Sequence, residues 1–339
     1  MNSAKLIFPA VKGIQANMEY YITMIPLNCV SRLFTFSDEN MPPEVRSQRI
    51  LNKARIPEMC NYIIKNPTSY VFSALTASVD GELIFEPLSK DTPALGNVTI
   101  DISSKLLIND GQHRRAAIEA ALKVNPELKY EHISMVLYHD IGLKRSQQMF
   151  SDLNKHAIRP TKSLNILYDN RNDFSILVKE VIDNIDGFSK LVDKEHTSIP
   201  NRSVALFTLS ALFHGTKAFL NNSSLIYEDQ KSLAIHFWSQ VFDNMTEWKE
   251  VETGKIKSSV IRRESLSPLS ITIKSLGEVG NELVEIYPDN WQNRLKALQN
   301  INWSKSNSAW QNGIVVDGSV QLSRATQKSM TNFIRSKIL

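Results

Sequence analysis

Over the first 160 positions the apolar residues come in short alternating or continuous runs, and after that they settle into a helical period. Residues 18–36, with Tyr20-Tyr-Ile-Thr-Met-Ile-Pro-Leu at their centre, read as an opening strand. Pro42 and Pro43 before Glu44 suit a helix start, and that helix runs to about Ile64, short of Asn66-Pro67. Residues 70–79 have the composition of a buried strand, and Asp80-Gly81 signals a hairpin into residues 82–85. Past a loop with Pro87 and Pro93 come short strands at 97–102 and 105–109. A helix follows over 114–124, stopped by Asn125-Pro126, then a strand over 133–138 and a helix over 143–154.

Beyond Pro160 the pattern predicts helices at 174–185, 203–220, 227–248, 270–286, 291–301 and 319–338, with a Ser/Asn/Gly-bearing loop at 303–318. The expected class is α+β: a mixed-sheet domain over 1–165, then an all-helical domain over 166–339 with a basic C-terminal region. No internal repeat or low-complexity tract interrupts it.

Composition narrows the function classes. A chain of 339 residues, 42% hydrophobic and 22% charged, is an ordinary globular protein with ample material for a core. Cys29 and Cys60 stand in no metal or redox spacing, and no His-x-x-x-His or His-Glu-x-x-His occurs, so neither zinc nor an iron–sulfur cluster is expected. No run approaches the roughly 18 apolar residues of a membrane span. Residues 1–12 are interrupted by Pro9 and Lys12, so a cytoplasmic protein without a membrane partner is expected. The net charge of +4 is mild, but its distribution is uneven. From Asn290 onward Arg294, Lys296, Lys305, Arg324, Lys328, Arg335 and Lys337 face only Asp317, a local field that attracts phosphate backbones.

The densest chemistry is Ile108-Asn-Asp-Gly-Gln-His-Arg-Arg-Ala-Ala117, where a strand ends at Asp110-Gly111 and a helix begins. The first turn of a helix presents backbone N–H groups and a positive dipole end. Gly111 permits positive φ or close approach of a ligand. With Gln112, His113, Arg114 and Arg115 added, the junction suits an anion. Asp-Gly is equally a common turn dipeptide, and cations at helix starts are often merely solvated, so the residues alone leave a plain turn open.

Asp110-Gly111-Gln112-His113-Arg114 resembles the signature of DGQHR-domain proteins, a branch of the ParB/sulfiredoxin-like superfamily. Relatives among GmrSD-type restriction proteins carry Asp-Gly-Gln-Gln-Arg there, used for nucleotide hydrolysis, and pair it with a downstream Phe-x-x-x-Asn. Phe150-Ser-Asp-Leu-Asn154 fits that pattern. An i,i+4 pair shares one helix face, so Phe150 would anchor the face while Asn154 reaches the pocket; the plainer alternative is a core Phe150 and a capping Asn154. The sulfiredoxin branch needs a cysteine at this corner, and residues 110–115 have none. Through residues 109–118, 150–160 and 161–169 the chain is similar to the DndB family, encoded beside enzymes that place sulfur in the DNA backbone.

That resemblance implies a ParB/sulfiredoxin-like N-terminal domain and a DNA-binding transcriptional regulator of a phosphorothioation cluster. Its partners would be duplex DNA at its own promoter, other DNA sulfur-modification proteins and a second copy of itself. The superfamily corner implies a nucleoside triphosphate with Mg²⁺, held by Gly111, Arg115, Phe150, Asn154 and His156. The alternative is an NTPase coupled to DNA nicking. In it Arg114 supplies charge, Asp110 holds a metal or orients water, and Gln112 or His113 positions the nucleophile. For DNA the candidates are Lys255, Lys257, Arg262 and Arg263, and Arg324, Lys328 and Arg335 on the last helix, whose polar neighbours suit groove contacts; solvated charge accounts for both stretches equally well. Arg46, Arg49, Lys53 and Arg55 form a third, weaker patch. Trp238 and Trp248 are core candidates. Trp303 and Trp310 are suited to packing or to stacking on a base.

Overall fold

The N-terminal stretch, whose alternation is blurred by outward-facing apolar residues, forms the strand β1 (Lys5–Gln15). It turns through Ala16 and Asn17, both at positive φ (51° and 61°), into β2 (Met18–Pro26), as a two-residue reversal requires. The computed structural model describes residues 4–34, 51–139, 142–155, 160–311, 313–316, 319–320 and 323–339. It divides the chain into two units, 1–158 and 159–339.

The opening strand is shorter than the pattern suggests. It ends at Pro26, and residues 27–33 become the helix α1 (Leu27–Leu33), because Leu27, Val30 and Leu33 bury at helical spacing. Residues 35–50, which include the expected start of the early helix at Pro42–Glu44, lie outside the described residues. The described remainder is a 3₁₀ turn (Lys53–Arg55) leading into α2 (Ile56–Lys65). Then follow β3 (Leu75–Asp80), β4 (Leu83–Pro87), β5 (Leu95–Asp101), β6 (Lys105–Asp110), α3 (Gln112–Val124), β7 (His132–His139) and α4 (Leu143–Lys155).

The seven strands lie in the order β4-β5-β1-β2-β7-β3-β6, antiparallel except for the parallel pair β3/β7. Asp80-Gly81 is not the hairpin turn that its sequence signals. β3 pairs with β6 while β4 pairs with β5, so β3 and β4 are two halves of one bent strand, matched by β5 and β6. The reversal itself falls at residues 88–94, where Leu88 N–H donates to Leu95 O. Gly81, at φ +142°, is the bend, and a Cβ there would run into Ser104. α1, α2 and α3 supply Val30, Ile63, Ala117, Ile118 and Ala121 to a core shared with Leu75, Ala77, Ile108, Met135 and Leu137 of the sheet.

Among its described residues the second unit is helical apart from two two-stranded pairs. The pair β8 (Val192–Asp193) and β9 (Phe207–Thr208) follows α5 (Lys162–Tyr168) and α6 (Asp173–Asp183). Next come α7 (Leu209–Phe219), α8 (Tyr227–Asn244), α9 (Thr246–Glu252), α10 (Ser258–Glu264), α11 (Ser270–Ile286) and α12 (Trp291–Leu295). The chain ends with the pair β10 (Val315–Val316) and β11 (Ser319–Val320), then α13 (Arg324–Ile338). Local capping trims the predicted helices. Thr208 accepts from Ala211 N–H and starts α7 there, Ser323 accepts from Thr326 N–H and starts α13, and a break at Met245 splits the 227–248 run. Trp238 and Trp248 are buried with their indole N–H groups bonded to Thr216 and Ser267. Trp303 and Trp310 stack on each other inside the same core, which removes them from base stacking. Among the described residues no helix is long and apolar enough to cross a membrane.

α7 and α11 pack backbone to backbone through Gly215 and Gly277. A Cβ on Gly277 would collide with the Gly215 carbonyl oxygen, and one on Gly215 would press on Ile273. Gly277→Ala is therefore expected to cost about 1–3 kcal/mol by overpacking and to lower the melting temperature. An unchanged melting curve would show that the two helices part freely.

Candidate nucleotide cleft and basic surface

β6 delivers Asp110 to the edge of the sheet, and Gly111, at φ +102° and ψ 15°, turns the chain into α3. A side chain at 111 would meet Leu75 Cδ2 at 2.5 Å and the Arg114 guanidinium at 3.3 Å, so both conformation and space demand glycine. No side chain caps α3, and the first helical bond runs from Arg115 N–H to Gly111 O at 2.9 Å.

Arg114 points back across this turn. Its Nη2 donates to Asp110 Oδ2, and its Nη1 donates to the Ser73 and Ala74 carbonyls at 2.7 and 2.8 Å and to Ser73 Oγ. The residue thus clamps the start of α3 to the segment that precedes β3. That segment is fixed at two further points: Val71 N–H donates to the Tyr62 hydroxyl at 2.9 Å, and the Tyr70 hydroxyl donates to Glu131. Burial, then the Glu131 bond, pushes the Tyr70 phenol above the ordinary tyrosine range, so it stays a donor.

A cavity of about 320 Å³ opens between this wall and the turn. Asp110, Gly111, Gln112, His113 and Arg114 line it together with Phe150 of α4, so the two sequence motifs meet at one cleft. Arg55, Met59, Val71, Phe72, Ser73 and Asn109 complete the lining. His113 Nε2 accepts from Asn52 N–H at 3.2 Å. Asn109 is buried; its Oδ1 accepts from Ser78 Oγ at 2.8 Å and its Nδ2 donates to Ser146 O at 3.5 Å, tying α4 to the sheet. Asn154 follows Phe150 by one turn on α4, but its side chain, and all of His156, lie outside the described residues. Arg115 is not among the lining residues: it pairs with Glu119 at 3.1 Å and donates to Phe34 O.

Reading the motifs alone misses Met59, Val71, Phe72, Ser73 and Asn109. A polar residue at the buried end of an apolar strand was the available signal for Asn109. Residues 71–74 had none, because their place depends on the Arg114 clamp.

The basic candidates of the second unit divide by how their donors are used. Arg262 reaches four carbonyls, those of Pro200, Asn201, Ser203 and Ala205. Arg335 makes a two-pronged pair with Glu282, at 2.8 and 2.6 Å. Both spend their charge within the unit. Lys255, Lys257, Arg263, Arg324 and Lys328 are exposed, and among the described residues only Arg263 of these holds a carboxylate, that of Glu264. Among the described residues no group of three or more His, Cys, Asp or Glu side chains is arranged to hold a metal ion.

Two outcomes follow. Arg114→Ala is expected to cost about 1.5–3 kcal/mol, the range for hydrogen bonds to a charged group. Arg115→Ala is expected to cost under about 1 kcal/mol; equal losses in urea titrations would contradict the clamp. The Glu282 carboxyl is held below the usual range, chiefly by the Arg335 hydrogen bond, against burial and with help from the Arg335 charge. Its stabilisation is complete above the ordinary value of about 4.3 and lost as pH falls through the lowered one. Melting temperatures of wild type and Glu282→Gln should therefore differ at pH 7 and converge in acid; a constant gap would rule out the linkage.

No curated protein and no solved structure matches the chain. A family pattern described as DndB, DNA-sulfur modification-associated, matches residues 8–339. Nearly the whole chain, both the unit that carries the clamped corner and the helical unit with its basic surface, is covered by that match, and the protein belongs to the DndB family.

Proposed function

We propose that the protein is a DNA-binding transcriptional regulator of a DNA phosphorothioation system, with a nucleotide in the Asp110–Arg114 cleft shifting it between states of different DNA affinity. Family membership supports the link to DNA sulfur modification. The observation that carries the nucleotide part is the meeting of the Asp110–Arg114 turn and Phe150 on one cavity. Its lining suits the ligand. Met59, Val71, Phe72 and Phe150 offer apolar contact to a base, while Arg55, Gln112 and His113 offer charge and hydrogen bonds to phosphates. Asp110 is the lining carboxylate, and Arg114 already pairs with it. Mg²⁺ would therefore arrive held mainly by phosphate oxygens and water, as this ion commonly is.

The same ion pair weighs between binding and hydrolysis. The NTPase alternative asks Asp110 to hold a metal or orient water and Arg114 to neutralise phosphate, yet each is engaged by the other and Arg114 also by Ser73 and Ala74. The cleft therefore favours nucleotide binding as a switch, with Arg55 as the cation facing the ligand. For DNA, the exposed Lys255, Lys257, Arg263, Arg324 and Lys328 supply sequence-independent phosphate contacts. Other sulfur-modification proteins and a second copy of the chain remain its proposed partners, and the cytoplasm its proposed place.

A thermal-shift panel of ATP, GTP and CTP with and without Mg²⁺ tests the cleft. A nucleotide at about a hundredfold its Kd should stabilise the protein by about 2.7 kcal/mol, and Arg55→Ala should abolish the shift. No shift with any nucleotide would remove the switch. Gel shifts across a salt series, with the promoter of the protein's own cluster against random duplex, test regulation. Specific binding should be at least about a thousandfold tighter, and equal affinities would remove the regulator reading.

A further inference from the structure

Two grooves on the second unit meet at Ser270, the first residue of α11. Arg202, Arg263 and Thr208 stand in one; Lys274, Arg324 and Lys328 stand in the other. Arg202, Arg324 and Lys328 are exposed and pair with no carboxylate among the described residues. The acidic residue within the second groove, Glu278, is already answered by Lys274 at 3.4 Å and by the Thr331 hydroxyl at 2.6 Å.

More positive charge borders this line. Lys162 of α5 and Lys217 of α7 lie, with Lys274, near enough to His214 to act on it. Burial first, then the charges of Lys162, Lys217 and Lys274, hold its imidazole below the ordinary histidine range. The fold holds these cations in a fixed relation. Gly215 and Gly277 let α7 and α11 touch backbone to backbone. Gln327 of α13 donates to Ile271 O and to Ser275 Oγ of α11, at 3.2 and 2.8 Å, which anchors Arg324, about one turn before that contact, and Lys328, the residue next to it.

The geometry points to one continuous phosphate-binding track for duplex DNA on the second unit, running from Arg202 and Arg263 across Ser270 and Lys274 to Arg324 and Lys328. This rests on the DNA-binding reading above and specifies its surface. Rigidly spaced cations from several helices, interleaved with hydroxyl and amide side chains, match a phosphate backbone. There, charge repeats every ~1.7 Å of duplex axis and hydrogen-bond acceptors accompany it. Arg262 and Arg335 also line the two grooves, but their donors are spent on carbonyls and on Glu282, so they serve the track as scaffolding.

Fluorescence anisotropy with a labelled random duplex over a KCl series tests it. Lys274→Gln/Arg324→Gln/Lys328→Gln is compared with the charge-matched Lys190→Gln/Lys249→Gln/Lys296→Gln. The track variant is expected to bind on the order of 10- to 100-fold more weakly, with a log–log salt slope shallower by about 3; the control should keep both near wild type. Lysine acetylation of the wild-type protein gives a readout independent of variant folding: DNA should protect Lys217, Lys274 and Lys328 but not Lys190 or Lys296. If wild type binds duplex while the track variant keeps its affinity and slope, or those lysines are labelled alike with and without DNA, the track is overturned and DNA binding stands. If wild type binds no duplex at any salt, both fall. Displacement of the duplex by polyglutamate as readily as by unlabelled duplex would overturn the assignment in favour of an acidic protein partner.

Discussion

The guanidinium of Arg114 is the interaction on which the first unit's cleft depends. It joins three pieces of chain: the end of β6 at Asp110, the first turn of α3, and the Ser73–Ala74 wall. A planar group with donors in a fixed fork can satisfy a carboxylate and carbonyls at once, and a lysine's single ammonium would serve fewer of them. Gly111 is bound to the same requirement, because a side chain there would occupy the space of both Leu75 and Arg114. The order Asp-Gly-x-x-Arg is thus legible as mechanics before any ligand is considered. The carboxylate and its cation sit four residues apart, with the one residue between them that lets the strand turn.

This changes how the motif is read. As a string of letters, Asp110 to Arg114 looks like a set of groups aimed at a ligand. In the folded unit the outer two hold the corner, and the inner ones, Gln112 and His113, face the cavity with Arg55 and Phe150. Phe150 was readable through the resemblance as the first residue of a second motif, Phe-x-x-x-Asn, but its arrival at the cleft involves Asn109, which links β6 to Ser146 of α4. A buried asparagine at the end of an apolar strand carries no label saying which helix it will hold. Local pattern likewise read Asp80-Gly81 as a hairpin turn, whereas the chain only bends there. Whether such a glycine ends a strand or bends it is decided by the register of β3 on β6 and β4 on β5, a long-range property. β1 escaped notice for a related reason: Ile7, Val11 and Ile14 are exposed on its outer side, so the in–out alternation that identifies a half-buried strand is masked.

In the helical unit the periods were plain and the ends were not. Helix starts at Thr208 and Ser323 follow from single hydroxyls capping N–H groups three residues on. Such hydroxyls are common enough in the surrounding sequence that choosing among them requires the packing. Charge was the least transparent feature. The C-terminal fifty residues carry seven cations against one aspartate, which reads as a uniform basic region. Once folded, Arg294 donates to the Ile338 and Leu339 carbonyls and stacks on Tyr287, Lys305 donates to the Arg263 carbonyl, and Arg335 belongs to Glu282. A count of basic residues thus overstates the charge offered to a partner, because a cation that closes a loop or a helix end has already exchanged its water for protein oxygens.

What remains exposed is better organised than the count suggested, and the cause lies in two residues with no charge at all. Gly215 and Gly277 bring α7 and α11 together at a distance no larger residue permits, and α13 is then pinned to α11 by Gln327, Thr331 and Arg335. Lysines and arginines on flexible stems lose little of their freedom on a surface, so their positions are set by the backbones beneath them. Fixing those backbones reduces the ordering cost paid when an extended polyanion is bound. In this unit, then, glycine contacts and the side-chain amide bonds between helices determine the electrostatics of the surface as much as the charged residues do, and the partly exposed ion pair Arg335–Glu282 supports that surface with its charge already answered.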